Sequence, residues 1–103
     1  MTNHVRMGIY AITKGTYDEL IEQARLGLAP ILRESPGFVF YSTTDVGGGR
    51  FVSVSTWQTR EQAEAAAATS ADWVSENMAD SVALEEDLIG EMTTLAATER
   101  SAV

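Results

Sequence analysis

The stretch 35–57 limits most strongly what this chain can fold into. Pro36 and Gly37 end the preceding segment, because proline cannot donate to a backbone ladder and glycine adopts turn dihedrals freely. Two runs rich in aromatic, β-branched and serine residues follow, at 38–44 and 50–57, and a glycine-rich connection joins them. Such runs around a short glycine-rich connection predict an antiparallel hairpin.

One strand and one helix are predicted before the hairpin. Apolar residues alternate along 5–12, and this period of two is typical of a strand. Thr16 and Glu19 have the spacing of a capping box, so a helix is expected to begin here. Its apolar stripe continues past Gly27 and Pro30, but a proline inside a helix loses one hydrogen bond and crowds the preceding turn. We therefore expect a kink or a break at this point.

A second helix and a last strand are predicted after the hairpin. Thr59 and Gln62 repeat the capping-box spacing, and the alanine-rich run 63–68 favours a helix. The sequence 70–72 offers a competing N-cap that could interrupt this helix. The remaining segments are predicted to be a solvated acidic loop at 85–87, a strand at 88–95 and a tail at 96–103.

The order strand, helix, strand, strand, helix, strand predicts a ferredoxin-like α+β fold, with two helices on one face of a four-stranded antiparallel sheet. Residues 1–103 are predicted to form a single domain, since one core typically serves about 100 to 150 residues. Apolar side chains such as Tyr10, Ile12 and Trp57 would occupy both faces of the sheet. A large exposed apolar face is typical of a partner surface, so we predict a homodimer with the two sheets packed face to face.

Composition excludes several classes of function. Seven basic and fifteen acidic side chains give a formal charge of −8, which repels phosphate backbones and anionic lipids, so neither nucleic acid nor membrane is an expected partner. The sequence contains no cysteine, which removes thiolate nucleophiles, disulfides and thiolate metal centres. We expect no bound metal and no cofactor. No apolar run has the length of a membrane helix and no signal-peptide pattern is present, so the expected compartment is the cytoplasm.

Three features of the layout occur together: the Pro-Gly-Phe entry to the hairpin at 36–38, the strand 52–57 that ends in tryptophan, and the helical sequence 61–63 immediately after it. With these features the chain resembles the antibiotic biosynthesis monooxygenase-like domains of the dimeric α+β barrel superfamily. The resemblance implies oxygenation of a small electron-rich aromatic, of phenol, anthrone or quinol type, without flavin or metal. A haem-degrading branch of the superfamily places a histidine in the second helix, but this chain has none at 64–77.

The resemblance also implies a pocket that holds a flat ring and stabilises anionic charge with a few fixed donors. The predicted catalytic residues are Trp73, Asn77 and Tyr10. The predicted substrate-binding residues are Trp57, Tyr41 and Arg6. In a plainer interpretation the tryptophans anchor a core or a dimer interface, the tyrosines are ordinary strand residues and the asparagine faces water. His4, near the N-terminus, is expected to be exposed and mobile.

Two functions from different classes stay open. The first is a cofactor-independent monooxygenase, and the second is a non-catalytic homodimeric module that binds a small hydrophobic ligand. A cavity larger than a few hundred Å³ lined by Tyr10, Trp57 and Trp73 would favour ligand chemistry. A filled interior would favour the module.

Overall fold

The computed structural model describes residues 2–98 of the chain. Its elements are β1 (His4–Ile12), α1 (Tyr17–Arg33), β2 (Phe38–Gly47), β3 (Arg50–Trp57), α2 (Arg60–Asn77) and β4 (Val82–Glu91). The strands form one antiparallel sheet in the order β2-β3-β1-β4, and both helices cover one face of it. The predicted ferredoxin-like α+β fold is confirmed, and part of the predicted tail, 99–103, lies outside the described residues. Between residues 2 and 98, neither helix is long and apolar enough to cross a membrane.

The predicted hairpin is formed by β2 and β3, with a tighter turn than expected. β2 continues to Gly47, so Gly48 and Gly49 alone make the turn, with φ of 66° and 75°. Two residues with positive φ give a turn whose twist matches that of the flanking strands. A bulge between Asp45 and Gly47 precedes the turn. The predicted connection is therefore shorter because the ladder extends into it.

Both helices begin at the predicted caps. In α1 the Glu19 N–H donates to Thr16 Oγ1 at 3.2 Å, and the Thr16 N–H donates to the Glu19 carboxylate at 3.0 Å. In α2 the Gln62 N–H donates to Thr59 Oγ1 at 3.2 Å, and the Thr59 N–H donates to the Gln62 side chain at 3.0 Å. Each box satisfies two backbone donors that the helix itself cannot pair, which fixes where the helix starts.

Neither helix is interrupted. α1 continues through Pro30, and the Glu34 N–H donates to the Pro30 carbonyl at 3.2 Å. α2 continues through 70–72, where the serine is buried. The predicted breaks in the two helices are wrong because burial fixes both helices on the sheet, and the alternative of a kink at the proline stays a prediction. On either side of the proline, Leu28 and Leu32 are buried, and together they contribute about 3 to 6 kcal/mol. That gain offsets the roughly 3 kcal/mol cost of the proline.

The last strand lies earlier than predicted. β4 spans Val82–Glu91, so the acidic run 85–87 belongs to the strand and the predicted loop is wrong. Residues 92–98 follow without regular structure. β4 is an edge strand that pairs only with β1, and acidic side chains on an edge remain solvated and discourage pairing with another chain. This position explains why a charged sequence forms a strand here.

The two faces of the sheet differ in character. Toward the helices, one cluster of buried side chains surrounds Tyr10 and Phe51, and a second surrounds Trp57. The opposite face, which we call the open face, carries apolar side chains that remain exposed. Met7, Phe40 and Leu88 are 38%, 57% and 45% exposed on it. The helices cover only the first face.

Candidate active site

A cavity lies between the sheet and the two helices. The sheet contributes Arg6, Tyr10, Tyr41 and Ser53 to its lining, and the helices contribute Ile21 and Trp73. The space between the lining side chains amounts to about 370 Å³, including the part open to solvent, but only about 20 Å³ of it admits a water molecule. That is room for about one water. A larger ligand would have to displace side chains as it enters.

Arg6 is the charged group of this cavity. Its side chain is only 2% exposed. Nε donates to Asp87 Oδ1 at 2.7 Å, and Nη2 donates to the Tyr10 hydroxyl at 3.2 Å. Burying a guanidinium costs several kcal/mol unless it is paired and hydrogen-bonded, and these two contacts meet that requirement. Neither of these two contacts uses Nη1.

Gly8 makes room for the guanidinium. A Cβ at this position would lie 2.9 Å from Arg6 Nη2 and 2.9 Å from Tyr10 Cε1. Gly8 is also directly opposite Asp87 in the β1–β4 ladder. The bare backbone of β1 therefore lets the arginine, the tyrosine and the aspartate meet on one face of the sheet.

Burial and hydrogen bonding set the protonation of two lining groups. Burial alone would lower the pKa of Arg6, but the hydrogen bond to Asp87 and the contacts with Tyr10 raise it above its usual value. Burial raises the pKa of Tyr41, against the opposing effect of its hydrogen bond with Ser53. Both groups are therefore protonated at neutral pH and serve as hydrogen-bond donors.

The cavity offers donors and hydroxyls but no general base. Within the described part of the chain, no carboxylate or imidazole lines it. Asp87 is engaged by Arg6 Nε. Across residues 2–98, no group of three His, Asp or Glu side chains could hold a metal ion. The arrangement can bind an anionic oxygen and stabilise it, and the proton of a bound hydroxyl would leave to water.

Four of the six predicted site residues meet at the cavity: Arg6, Tyr10, Tyr41 and Trp73. The Trp73 ring lies against α1 at Gly27, where a Cβ would come within 2.6 Å of it. The indole therefore forms one wall of the cavity and also fills the contact between the two helices. The glycine that suggested a break in α1 is in fact a packing site for this ring.

Two predicted site residues lie elsewhere. Trp57 is 1% exposed in the second cluster, and its Nε1 donates to Ser55 Oγ at 2.9 Å. Asn77 is exposed at the end of α2, where its Nδ2 donates to the Trp73 carbonyl at 2.9 Å. These placements agree with the plainer interpretation of both residues. His4, expected to be exposed, is half-buried in β1, and among the described residues its Nδ1 has no hydrogen-bond partner.

Three residues of the site were not predicted from the sequence: Gly8, Ser53 and Asp87. A glycine inside an alternating strand indicates close approach of another group, so the sequence at Gly8 could have indicated that side chains pack against β1 there. Ser53 and its neighbour Ser55 face the helices, where a strand of this kind would ordinarily present apolar residues. Asp87 was assigned to a loop, so its pairing with β1 could not be anticipated.

Several solved structures have the same fold. SnoaB from Streptomyces nogalater, a cofactor-independent oxygenase, is 13% identical with a TM-score of 0.67 over 96% of this chain and 99% of that chain. A proposed antibiotic biosynthesis monooxygenase from Nitrosomonas europaea is 23% identical with a TM-score of 0.63 over 93% of each chain. HapK from Hahella chejuensis is 15% identical with a TM-score of 0.68 over 92% of this chain and 99% of that chain. No protein-family model and no curated protein matches the sequence.

These likenesses define the class of protein at the level of the fold. The chain has the fold of the antibiotic biosynthesis monooxygenase-like domains, and the resemblance found in the sequence is confirmed at that level. Identities below 25% establish the fold alone, because one fold supports many activities. The function of this chain must therefore be inferred from the side chains that line its cavity.

Proposed function

We propose that the protein is a cofactor-independent monooxygenase that acts on a small electron-rich hydroxyaromatic compound. The observation that carries the proposal is the buried Arg6 guanidinium in a largely apolar cavity. A fixed cation in such surroundings stabilises an aromatic oxyanion far more than the same cation in water would. The fold shared with a cofactor-independent oxygenase supports the assignment.

The proposed reaction needs no group beyond the substrate and dioxygen. Arg6 and Tyr41 hold the substrate oxygen after its proton has left to water, and the oxyanion gives one electron to dioxygen. The two radicals combine to form a carbon–oxygen bond at a ring carbon that carries hydrogen, and loss of water leaves a carbonyl there. One atom of dioxygen stays in the product. The other leaves as water, with the hydrogens of the hydroxyl and of the ring carbon.

Aromatic walls suit a planar substrate of this kind. The Tyr10 and Phe51 rings stack with their centroids 5.1 Å apart and an interplanar angle of 11°. Trp73 faces the cavity from α2. The free space among these three rings is too small for a substrate ring, so we propose that the ring lies at the mouth of the cavity and that only its ionised oxygen reaches the interior.

Dissolved-oxygen uptake tests the proposed activity. Purified protein is mixed with anthrones, quinols, naphthols and flavonols without added metal or flavin. We expect at least one compound to raise uptake above the protein-free rate, and Arg6→Gln to lower kcat/KM by about 100-fold because it removes the oxyanion partner. Arg60→Gln changes an exposed arginine of α2 and is expected to leave the rate unchanged. Uptake at the protein-free rate with every compound would contradict the proposal.

We further propose that two copies associate through the open face. Alternation places Val52 and Val54 on the same face as Met7 and Phe40, because Ser53 and Ser55 are buried toward the helices. A continuous apolar face of this kind is unusual on a monomer. An identical face on a second copy matches it in apolar character, and an isologous dimer would bury both faces at once.

A non-catalytic homodimeric module that binds a small hydrophobic ligand is the second candidate function. The observation that favours it is the narrow cavity, in which only about 20 Å³ admits water. A nearly filled interior suits dense packing as well as it suits a site that opens. Oxygen uptake separates the two functions, since the module would leave the protein-free rate unchanged with every compound.

A further inference from the structure

We propose that the groove between α1 and β2 is the outer half of the ligand site. It would hold the aromatic ring of a ligand whose ionised hydroxyl reaches inward to Arg6. The inference rests on the proposed function for the inner cavity. It adds the entry route and the ligand class, which is a single aromatic ring whose hydroxyl is bound in its ionised form.

The groove and the cavity share their walls. Ile21, Ala24, Tyr41 and Thr43 line both spaces. The groove admits water over about 160 Å³, against about 20 Å³ in the cavity. A cavity of about 150 Å³ accommodates benzene, so one aromatic ring fits the groove where it does not fit the interior. The shared lining places the two spaces side by side, with Tyr41 and Thr43 between α1 and the interior.

The position of the groove allows it to open without breaking the sheet. β2 is an edge strand, so its outer side carries no ladder. α1 presents Ala24 and Ala29 to the groove, which keeps the helix side of the passage shallow. Near the amino end of α1, the Tyr17 hydroxyl and Thr43 Oγ1 are hydrogen-bonded at 2.7 Å. This bond ties the helix to the strand at the groove and would restrict entry until it breaks.

The polar groups along the route select an anionic oxygen. Tyr41, kept protonated by burial, lies on the shared wall and can donate to a ligand. Arg6 stands at the inner end, and Arg25, paired with Glu22, stands at the outer rim. In the described chain, no carboxylate lines the groove or the cavity, although the protein has a net charge of −8. With no base on the route, the ligand hydroxyl must give its proton to water, and Arg6 and Tyr41 then hold the phenolate.

Binding of 4-nitrophenol tests the inference. This single-ring phenol has a phenolate that absorbs visible light, and its electron-poor ring does not react with dioxygen, so binding is measured apart from turnover. We expect the protein to raise the phenolate fraction at a fixed pH and 4-nitrophenol to quench the tryptophan fluorescence of the protein. Ala29→Phe fills the groove without reaching the inner cavity, and we expect it to weaken binding by about tenfold or more.

Two further variants complete the experiment. Ala65→Phe makes the same change on α2, in a groove beside Trp57 that shares no residue with the cavity, and is expected to bind like the wild type. Thr43→Val removes the bond to Tyr17 and is expected to speed association. Wild-type protein that does not bind 4-nitrophenol, or Ala29→Phe that binds it equally well, would overturn the inference. Binding without oxygen uptake by any substrate would overturn the monooxygenase and leave the groove in place.

Discussion

At the scale of single residues, the site depends on how one buried cation is accommodated. Arg6 would be costly at 2% exposure if it were unpaired, and Asp87 and Tyr10 supply its partners. The sequence indicated Arg6, Tyr10 and Tyr41, since aromatic and charged residues in strands are visible without a structure. It could not indicate Asp87, because the partner across a ladder depends on a register that no local pattern fixes.

Gly8→Ala is expected to destabilise the protein by about 1 to 3 kcal/mol, because the added methyl group overlaps Arg6 and Tyr10. The matched control is Gly90→Ala in β4, where a Cβ meets nothing within 4 Å, and its effect should stay within about 0.5 kcal/mol. Urea denaturation measures both. Equal effects of the two substitutions would show that Gly8 is not needed for the arginine.

The raised pKa of Tyr41 predicts a loss of stability at alkaline pH. The folded chain holds the phenolic proton more tightly than the unfolded chain, whose tyrosine has a pKa of 10.0. The resulting stabilisation is complete below about pH 10 and is lost as the pH rises through the folded-state pKa. The Tm of the wild type should therefore fall more steeply above pH 10 than that of Tyr41→Phe. Tm values of the wild type and of Tyr41→Phe that fall in parallel between pH 8 and 11 would contradict this role of Tyr41.

At the scale of helices and strands, sequence patterns predicted correctly the features whose physical cause lies within a few residues. The capping boxes and the glycine turn act within a few residues, and the sequence predicted them well. The run 85–87 and Pro30 were misjudged for the opposite reason. An edge position in the sheet keeps the acidic run in a strand, and burial of the neighbouring leucines keeps the proline in a helix. Tertiary contacts outweigh propensity at both places.

Gly27→Ala is expected to change the free energy of unfolding in opposite directions in two backgrounds. Alanine in a helix is ordinarily more stable than glycine by about 1 kcal/mol. In the wild type the new Cβ would lie 2.6 Å from the Trp73 ring, so the substitution should destabilise the protein. In a Trp73→Ala background the overlap is gone, and the same substitution should stabilise it by about 1 kcal/mol. A double-mutant cycle by urea denaturation reads both values, and the same sign in both backgrounds would exclude a direct contact.

At the scale of the whole molecule, the order and pairing of the elements followed from the sequence because alternation and capping signals agree with one another. The volume of the cavity could not be predicted from the sequence. It depends on how the Trp73 ring packs against Gly27 and on which strand residues face inward. An apolar open face was predicted from the sequence, but Tyr10 and Trp57, two of the residues on which that prediction rested, are buried toward the helices instead. What packs against the open face has to be determined by experiment.

Val54→Lys is expected to convert a dimer into monomers, because it would bury a lysine at the centre of the proposed interface, at a cost of several kcal/mol. Leu26→Lys is the control, since Leu26 is 67% exposed on α1 and lies away from the open face. Sedimentation velocity should show a dimer for the wild type and for Leu26→Lys and a monomer for Val54→Lys. A wild-type protein that sediments as a monomer would remove the proposed dimer.

The most direct measurement is the fate of isotopically heavy dioxygen supplied to the protein with the substrate that gives the fastest oxygen uptake. A monooxygenase that works through Arg6 should leave one heavy oxygen atom in the product, release the other as water and form no hydrogen peroxide. Arg6→Gln should form the labelled product about 100-fold more slowly, and Arg60→Gln should form it at the wild-type rate. A product without the label, with hydrogen peroxide in equal amount, would contradict monooxygenation, and labelled product from Arg6→Gln at the wild-type rate would contradict the role of the buried guanidinium.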